Sequence, residues 1–266
     1  MSESLVLVKQ QGAVRTLTLN RPKALNSFTQ AMHQELLAAL QAAAADSGVR
    51  CLVLTGEGRG FCAGQDLADD GAAPAPEGQT PTDLGLLISR YYQPLCEQLR
   101  AMPVPVIAAV NGVAAGAGAN IALCCDLVIA CESASFIQAF TKIGLLPDSG
   151  GTWLLPRLVG RQRALGLALL GDKLAAKDAE EIGLIWRCLP DAGFDLEVAE
   201  IAAKLAAMPT MALVATRNAM DAAQQMSFNE SLALEASEQS ALGSSHDYLE
   251  GVAAFMAKRQ PVFSDR

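Results

Sequence analysis

The sequence of 266 residues is long enough for one large domain or two small ones, and its 51% apolar content can form a substantial core. A net charge of −8 argues against a nucleic-acid partner, because phosphate binding needs clustered Lys and Arg. Two His and seven Cys with no CxxC pair predict free, buried thiols and no metal site. Because no apolar run approaches the roughly 20 residues of a membrane span and the N-terminus does not resemble a signal peptide, we expect a cytoplasmic protein with no membrane partner.

The first half of the chain alternates strand-like and helix-like segments. Residues 5–8 and 14–19 are β-rich runs on either side of a Gly-containing turn, which predicts a hairpin. A helix follows, with a capping-box pattern at Ser27 and Gln30. Further buried strands are predicted at residues 51–55, 105–110 and 127–130.

The second half, from Gly150 onward, is mostly helical in pattern. Candidate helices are residues 165–170, 176–182, 196–207, 213–223 and 248–258. The whole order predicts an α/β fold of ββα-type units, with strands covered on both sides, followed by a helical region. Residues 69–82 are rich in Pro, Gly and Ala, and we interpret them as a mobile loop near the mouth of an active site.

Two turns rich in Gly and Ala follow predicted strands, at residues 60–67 (GFCAGQDL) and 111–120 (NGVAAGAGAN). Small residues let a backbone approach a ligand closely and expose its N–H groups. The apolar residues after the second turn predict a helix that begins near Ala117, with its N-terminus suited to a developing negative charge. Tight packing alone would also explain either turn, and neither matches a GxGxxG or P-loop nucleotide motif.

Five motifs in a fixed order carry a resemblance to a known family. They are NRP…LNS at residues 20–27, FCAGQDL at 61–67, AVNGVAAGAGANIALCCDLVIA at 109–130, GLLPDSGGTWLLPRLVG at 144–160 and EGVAAFMAKRQPVF at 250–263. Together they cover essentially the whole chain and resemble the crotonase (enoyl-CoA hydratase/isomerase) superfamily. Within it, the chain is similar to the 1,2-epoxyphenylacetyl-CoA isomerases of phenylacetate catabolism.

The resemblance implies a crotonase (ClpP-like) fold, with a ββα core and active site in residues 1–200 and a C-terminal helical trimerisation region in residues 201–266. It also implies an acyl-CoA substrate, no cofactor beyond the CoA that the substrate carries, and a homotrimer or dimer of trimers. An isomerase acting on an aromatic-derived acyl-CoA is the leading prediction. The alternatives are a Δ3,Δ2-enoyl-CoA isomerase or enoyl-CoA hydratase of fatty-acid oxidation, and a non-catalytic CoA- or RNA-binding relative.

The resemblance also assigns roles to individual residues. The N–H groups of Gln65 and Ala117 match the two donors that hold the thioester carbonyl. Asn120 and Phe140 stand where the hydratases have two Glu residues, and neither can exchange a proton at neutral pH. This leaves Asp148, at the position where isomerases of the superfamily place an acid/base.

Asp148 also has a purely structural interpretation, because Asp before Ser-Gly-Gly and an apolar helix is a common N-cap pattern. For catalysis, its pKa must be raised towards neutrality by apolar neighbours such as Phe140 or Leu145. A carboxylate of that kind could take a proton from one carbon of the acyl group and return it to another.

For CoA itself, the resemblance points to two groups of residues. One group belongs to the first part of the chain and comprises Lys23, Ala24, Leu25, Ala63, Asp66 and Leu67. The other is Phe255 and Lys258, whose three-residue spacing predicts one helix face. Lys258 could equally be a solvated surface residue, and Phe255 could belong to the core.

The remaining candidates have weaker patterns. His33 is predicted on a surface helix with a structural role. Tyr91 and Tyr92 follow the predicted loop and would suit either the acyl pocket or the core.

Overall fold

The computed structural model describes residues 4–69, 72–75 and 79–266. Its larger sheet has six strands in the spatial order β1-β2-β3-β5-β7-β10. They are β1 (Val6–Gln11), β2 (Val14–Leu19), β3 (Cys51–Gly56), β5 (Val106–Val110), β7 (Leu127–Cys131) and β10 (Arg187–Leu189). The first two form the predicted antiparallel hairpin, and every other pair is parallel.

A smaller four-stranded sheet has the order β4-β6-β8-β9. Its strands are β4 (Gly60–Cys62), β6 (Val113–Ala115), β8 (Ser135–Ile137) and β9 (Lys173–Ala175). Three times the chain passes from a strand of the larger sheet into a strand of the smaller one and then into a helix. The predicted ββα units are therefore confirmed. Strand β5 is buried at every position, as its run of small and β-branched residues predicts for a strand covered on both faces.

Ten helices are present in the described part of the chain. They are α1 (Gln30–Ala45), α2 (Leu84–Leu87), α3 (Gln93–Arg100), α4 (Ala117–Leu123), α5 (Gly151–Leu170), α6 (Ala176–Glu181), α7 (Phe194–Ala206), α8 (Thr210–Ala223), α9 (Phe228–Leu242) and α10 (His246–Met256). A π-helical turn, Ile88–Tyr92, joins α2 to α3. In the described residues no single helix could span a membrane; α7 and α8 would qualify only as a pair, bent by 98°.

Several local predictions need correction. The first helix begins at Gln30 and is capped by Thr29, whose hydroxyl accepts from the Met32 N–H, so the capping box at Ser27 was wrong. Helix α9 and the short strands of the smaller sheet were missed. Of the predicted loop 69–82, residues 70, 71 and 76–78 lie outside the described residues. The division at residue 200 stays a prediction, and that residue lies inside α7.

Partly buried polar contacts join the C-terminal helices to the sheet. The Arg50 guanidinium donates to the carbonyl oxygens of Ala206 and Met208, both at 2.9 Å. Asp126 accepts from the Val106 N–H at 2.8 Å and pairs with Arg217 of α8 at 3.2 Å. The seven cysteine thiols are free, as the sequence predicted.

Candidate active site

Two glycines with positive φ place the first two loops of the site against each other. Gly64, after β4, has φ +92°, and Gly116, after β6, has φ +51°. A Cβ atom built on Gly64 would lie 2.9 Å from the Ala115 carbonyl oxygen and 3.5 Å from the Ala117 nitrogen. The two loop backbones thus approach each other more closely than a side chain at position 64 would allow. Gly64 is therefore needed both for the packing of the loops and for the shape of the site.

The residues after these glycines carry the predicted N–H donors. Phe28 and Gln65 form an isolated parallel bridge, in which the Phe28 N–H donates to Gly64 O at 2.7 Å and the Asp66 N–H donates to Phe28 O at 2.9 Å. Among the described residues, neither the Gln65 N–H nor the Ala117 N–H has an acceptor. Two fixed and unpaired amide donors on adjoining loops are suited to binding a carbonyl oxygen.

Helix α4 is pressed against strand β4, which holds Ala117 in place. All seven residues of α4 are buried. A Cβ on Gly118 would lie only 2.4 Å from the Cys62 carbonyl oxygen. The Gly118 backbone is thereby held against the end of β4, and the adjoining Ala117 donor cannot move without disturbing that strand.

Asp148 lies in the loop before α5 and is partly buried. Burial raises the pKa of its carboxyl above the usual range, and the Ser149 hydroxyl, which donates to it at 2.9 Å, offsets part of the effect. The N-cap interpretation was wrong, because Gly150 occupies the cap of α5 and no side chain caps that helix. The carboxylate is therefore available for chemistry.

Asn120 holds the backbone that carries Asp148. Its side-chain amide donates to the Asp148 carbonyl oxygen at 2.9 Å and accepts from the Gln138 amide at 2.8 Å. Asn120 is fully buried, and a Cβ on Gly151 would lie 2.3 Å from its Nδ2 atom. The side chain is committed to structure, consistent with the prediction that it moves no proton.

Phe140 lies on a short 3₁₀ turn and is buried, with its Cζ atom 3.8 Å from the position of a Gly116 Cβ. It therefore lines the base of the second loop with an apolar ring. Leu145 adjoins Phe140, since its N–H donates to the Phe140 carbonyl oxygen at 2.9 Å, and the Leu145 side chain is 39% exposed. Burial is the largest cause of the raised pKa of Tyr92, and the charge of Asp148 is one of the smaller causes, which indicates that Asp148 lies near Tyr92.

The first group of predicted CoA contacts lies together at one edge of the site. Lys23 and Ala24 form a 3₁₀ turn, and the Leu25 carbonyl oxygen accepts from the Ala63 N–H at 2.9 Å. Asp66 pairs with Arg21 at 2.9 Å, which lowers the pKa of its carboxyl, while Leu67 is 54% exposed. Turn and loop thus form one continuous surface beside Gln65.

The second group is not brought to this surface within the chain. Phe255, at the end of α10, is 82% exposed, so the core alternative for it was wrong. Lys258 lies beyond the helix in the left-handed conformation, φ +52°, rather than on the predicted helix face. No hydrogen bond or ion pair in the described residues joins either to the loops of the site.

His33 is buried and not on a surface as predicted, and Tyr92 belongs to the core, one of its two predicted places. His33 is 1% exposed, with its ring stacked on Phe28 at 4.4 Å and edge-on to Tyr92 at 4.2 Å. Burial lowers the pKa of His33 to about 4, and the nearby Gln65 amide offsets only part of this. Tyr92 is 1% exposed, and its hydroxyl donates to Gln65 Oε1 at 2.8 Å. The helical spacing of His33 with Met32 and Leu36 was the signal that could have indicated burial.

Two unpaired amide donors near a carboxyl with a raised pKa define a site that stabilises negative charge on a carbonyl oxygen and moves a proton. The fold agrees with this class of site, since repeated ββα units bring all three loops to one end of the sheets.

The enoyl-CoA hydratase/isomerase family model matches residues 9–266. The chain is 49% identical to the 1,2-epoxyphenylacetyl-CoA isomerase of Escherichia coli K12 over 98% of each chain, and 47% identical to a probable enoyl-CoA hydratase of Rhodobacter capsulatus over the full length of both. The crystal structure of an enoyl-CoA hydratase from Bacillus anthracis superposes with a TM-score of 0.90 at 32% identity, covering 98% of this chain and all of that one. The chain belongs to the enoyl-CoA hydratase/isomerase family, and the predicted crotonase fold is confirmed.

Proposed function

We propose that the protein is an acyl-CoA isomerase that acts on 1,2-epoxyphenylacetyl-CoA. The observation that carries the proposal is the commitment of Asn120 to two structural hydrogen bonds, which leaves Asp148 as the carboxylate of the site. A single carboxylate can move a proton between two carbons of one substrate. The identity of 49% to an enzyme with this name supports the choice of acyl group.

In the proposed mechanism, the thioester oxygen accepts hydrogen bonds from the Gln65 and Ala117 N–H groups. Negative charge on this oxygen is stabilised when a proton leaves the carbon beside the carbonyl. Asp148, in its ionised form, takes that proton, and its raised pKa brings its basicity closer to that of the enolate. The same carboxyl then returns the proton to a different carbon, so that product and substrate have the same composition.

An epoxide on the acyl ring fits this scheme. The carbon–carbon bond between the two epoxide carbons breaks while the ring double bonds shift, which gives a seven-membered oxepin with no change in charge. Asp148 then takes a proton from the carbon beside the carbonyl and returns it to a ring carbon, so that the product is an isomer of the epoxide. Phe140 at the base of the second loop provides an apolar wall that disfavours water as a competing nucleophile. No metal or redox group takes part, and we expect turnover to survive exhaustive treatment with EDTA.

Hydration of an enoyl-CoA is the second candidate, because a relative at 47% identity is described as a probable hydratase. Two groups must then position and activate a water molecule. Asn120 is bonded to Gln138 and to the Asp148 backbone, and Phe140 has no polar atom, so neither supplies a second base. The geometry favours the isomerase.

The deciding experiment follows three thioesters by ultraviolet absorption and mass spectrometry: 1,2-epoxyphenylacetyl-CoA, a 3-enoyl-CoA and crotonyl-CoA. We expect isomerisation of the epoxide without a change in mass. Conversion of the 3-enoyl-CoA alone would make the protein a Δ3,Δ2-enoyl-CoA isomerase. A gain of one water on crotonyl-CoA, at a rate above the epoxide reaction, would contradict the proposal and establish a hydratase.

We further propose that the protein forms a trimer or a dimer of trimers through its C-terminal helices, which would let α10 bring Phe255 and Lys258 to a neighbouring CoA site. Support comes from the exposed apolar residues of this region, with Phe228 at 77%, Phe255 at 82% and Met256 at 78%. Light scattering coupled to size exclusion should give three or six times the mass of the chain. A monomer at micromolar concentration would contradict this.

A further inference from the structure

The Gln65 side chain has a buried partner that the proposed reaction does not use. Tyr92 is one of the largest fully buried side chains of the protein, and its hydroxyl donates to Gln65 Oε1 at 2.8 Å. The Gln65 amide also reaches its own neighbour, donating from Nε2 to the Asp66 carbonyl oxygen at 3.3 Å. Both ends of this amide are therefore fixed directly beside the peptide N–H of residue 65.

Aromatic packing also holds the Tyr92 side chain in place. Its ring meets Phe28 edge-on at 6.0 Å and His33 at 4.2 Å, and Phe28 is the residue that forms the backbone bridge to the Gln65 loop. Tyr92 is also the last residue of the π-helical turn, a feature that often marks a functional position. The turn rotates this part of the helix relative to an uninterrupted α-helix.

His33 completes the cluster beside this hydrogen bond. It is buried on all sides, and in the described residues neither of its ring nitrogens has a partner in hydrogen-bonding geometry. Its neutral ring packs against Tyr92 and leaves the hydroxyl directed at Gln65. Nothing in the arrangement places Tyr92 against substrate, because its side chain is enclosed by protein.

We propose that Tyr92 is a positioning residue, which holds the Gln65 side chain and through it keeps the Gln65 N–H aimed at the thioester oxygen. This inference rests on the part of the proposed function that assigns Gln65 as a carbonyl donor, and it does not depend on which acyl group is isomerised. Loss of the hydroxyl frees the Gln65 side chain and loosens the donor. A misplacement of about 1 Å in such a group can cost about 100-fold in rate.

The test compares Tyr92→Phe with Tyr91→Phe in the full-length protein. The Tyr91 hydroxyl donates to Gln30 Oε1 at the same distance, 2.8 Å, and so makes an equivalent bond to helix α1 instead of to the loop. Each variant is titrated with acetoacetyl-CoA, whose enolate absorbs in the near ultraviolet when a carbonyl donor pair stabilises it. The readout is the pH at which half of the bound ligand is enolate, together with the unfolding temperature.

We expect Tyr92→Phe to raise that pH by about one unit, a tenfold weaker stabilisation of the enolate, and to lower kcat more than it raises KM. Tyr91→Phe should leave the enolate midpoint unchanged. Equal midpoints in the wild type and Tyr92→Phe, with both proteins folded, would overturn the proposal. If Tyr92→Phe does not fold, Gln65→Leu keeps the backbone N–H and removes the tethered amide, and it must reproduce the shift.

These outcomes separate the two proposals. A protein that stabilises the enolate through Tyr92 and yet hydrates crotonyl-CoA would contradict the isomerase and leave the role of Tyr92 intact. If the protein isomerises the epoxide but Tyr92→Phe leaves the enolate midpoint unchanged, the proposed function stands and the role of Tyr92 is contradicted.

Discussion

Helices α4 and α9 are opposite extremes of burial in this protein. All seven residues of α4 are buried between the strands and loops that carry Gln65, Ala117 and Asp148. None of the fifteen residues of α9 is buried, although the helix has its own capping box at Ser227 and Glu230. The catalytic region is held by contacts inside one chain, whereas the C-terminal region leaves apolar surface for other contacts.

The difference teaches where substitutions will act. Changes around α4 should alter chemistry or the stability of the single chain. Changes in the C-terminal helices should alter affinity and assembly, with little effect on the reaction itself.

The largest effect is expected for Asp148→Asn, which should lower kcat by about 1,000-fold and leave CoA-ester binding intact. Because burial raises the folded pKa of this carboxyl above its unfolded value, its ionised form costs stability at neutral pH. The variant should therefore unfold at an equal or higher temperature than the wild type at pH 7. That difference should shrink as the pH falls from the folded pKa towards the unfolded pKa, and it should be absent below the unfolded pKa. Near-normal turnover would remove Asp148 from the mechanism.

Gly118→Ala should damage the close contact of α4 with β4. The new methyl group would meet Cys62 backbone and sulfur atoms at 2.4 and 2.7 Å, so we expect a loss of about 1–3 kcal/mol in unfolding free energy, measured in urea. Gly166→Ala is the matched control, because nothing lies within 4 Å of its new methyl group. In a helix interior that change should stabilise by about 0.5–1 kcal/mol. Equal effects at both sites would contradict the close packing described here.

His33 should make the catalytic region sensitive to acid. Its pKa is lowered to about 4 by burial, so the stability that its neutral form provides is lost as the pH falls from about 6.5 towards 4. Between pH 7 and pH 5 the unfolding free energy of the wild type should fall by on the order of 1–2 kcal/mol more than that of His33→Phe. Urea midpoints at pH 7, 6 and 5 measure the difference, and parallel pH profiles would disprove it.

The smallest effect is expected in the C-terminal region. Lys258→Ala should raise the KM for acyl-CoA several-fold and leave kcat unchanged, because the lost contact is the same in the ground state and the transition state. Lys177→Ala, an exposed lysine of α6, should change neither constant. A fall in kcat for Lys258→Ala would place this residue nearer the reacting atoms than proposed.

Much of the ββα core could be predicted from the sequence because it is encoded locally. The runs at residues 51–55, 105–110 and 127–130 are short, apolar and bounded by turn residues, and each proved to be a strand of the larger sheet. The three-residue strands of the smaller sheet have no such period. Helix α9 was missed because no apolar face marks it, which agrees with its lack of buried residues.

The candidate site divides in the same way. Gly64 and Gly116 belong to the Gly-rich turns that the sequence motifs identify, so their positive φ angles could be predicted locally. The environment of His33 depends on residues far away in the chain, Tyr91 and Tyr92, which no local pattern connects to it. The Asn120 contact to the Asp148 backbone is likewise a long-range one.

That contact bears on how readily one activity of this family could change into another. A glutamate at position 120 would be one carbon longer than Asn120 and would have no amide to donate to the Asp148 carbonyl. Gly151 leaves no room beside it, since even a methyl group there would collide with the Asn120 amide. Replacing Asn120 by a carboxylate residue that activates water would thus remove the hydrogen bond that holds the backbone of Asp148. A change from isomerase to hydratase that begins at position 120 would therefore need a second replacement, one that holds the Asp148 backbone in place of the Asn120 amide.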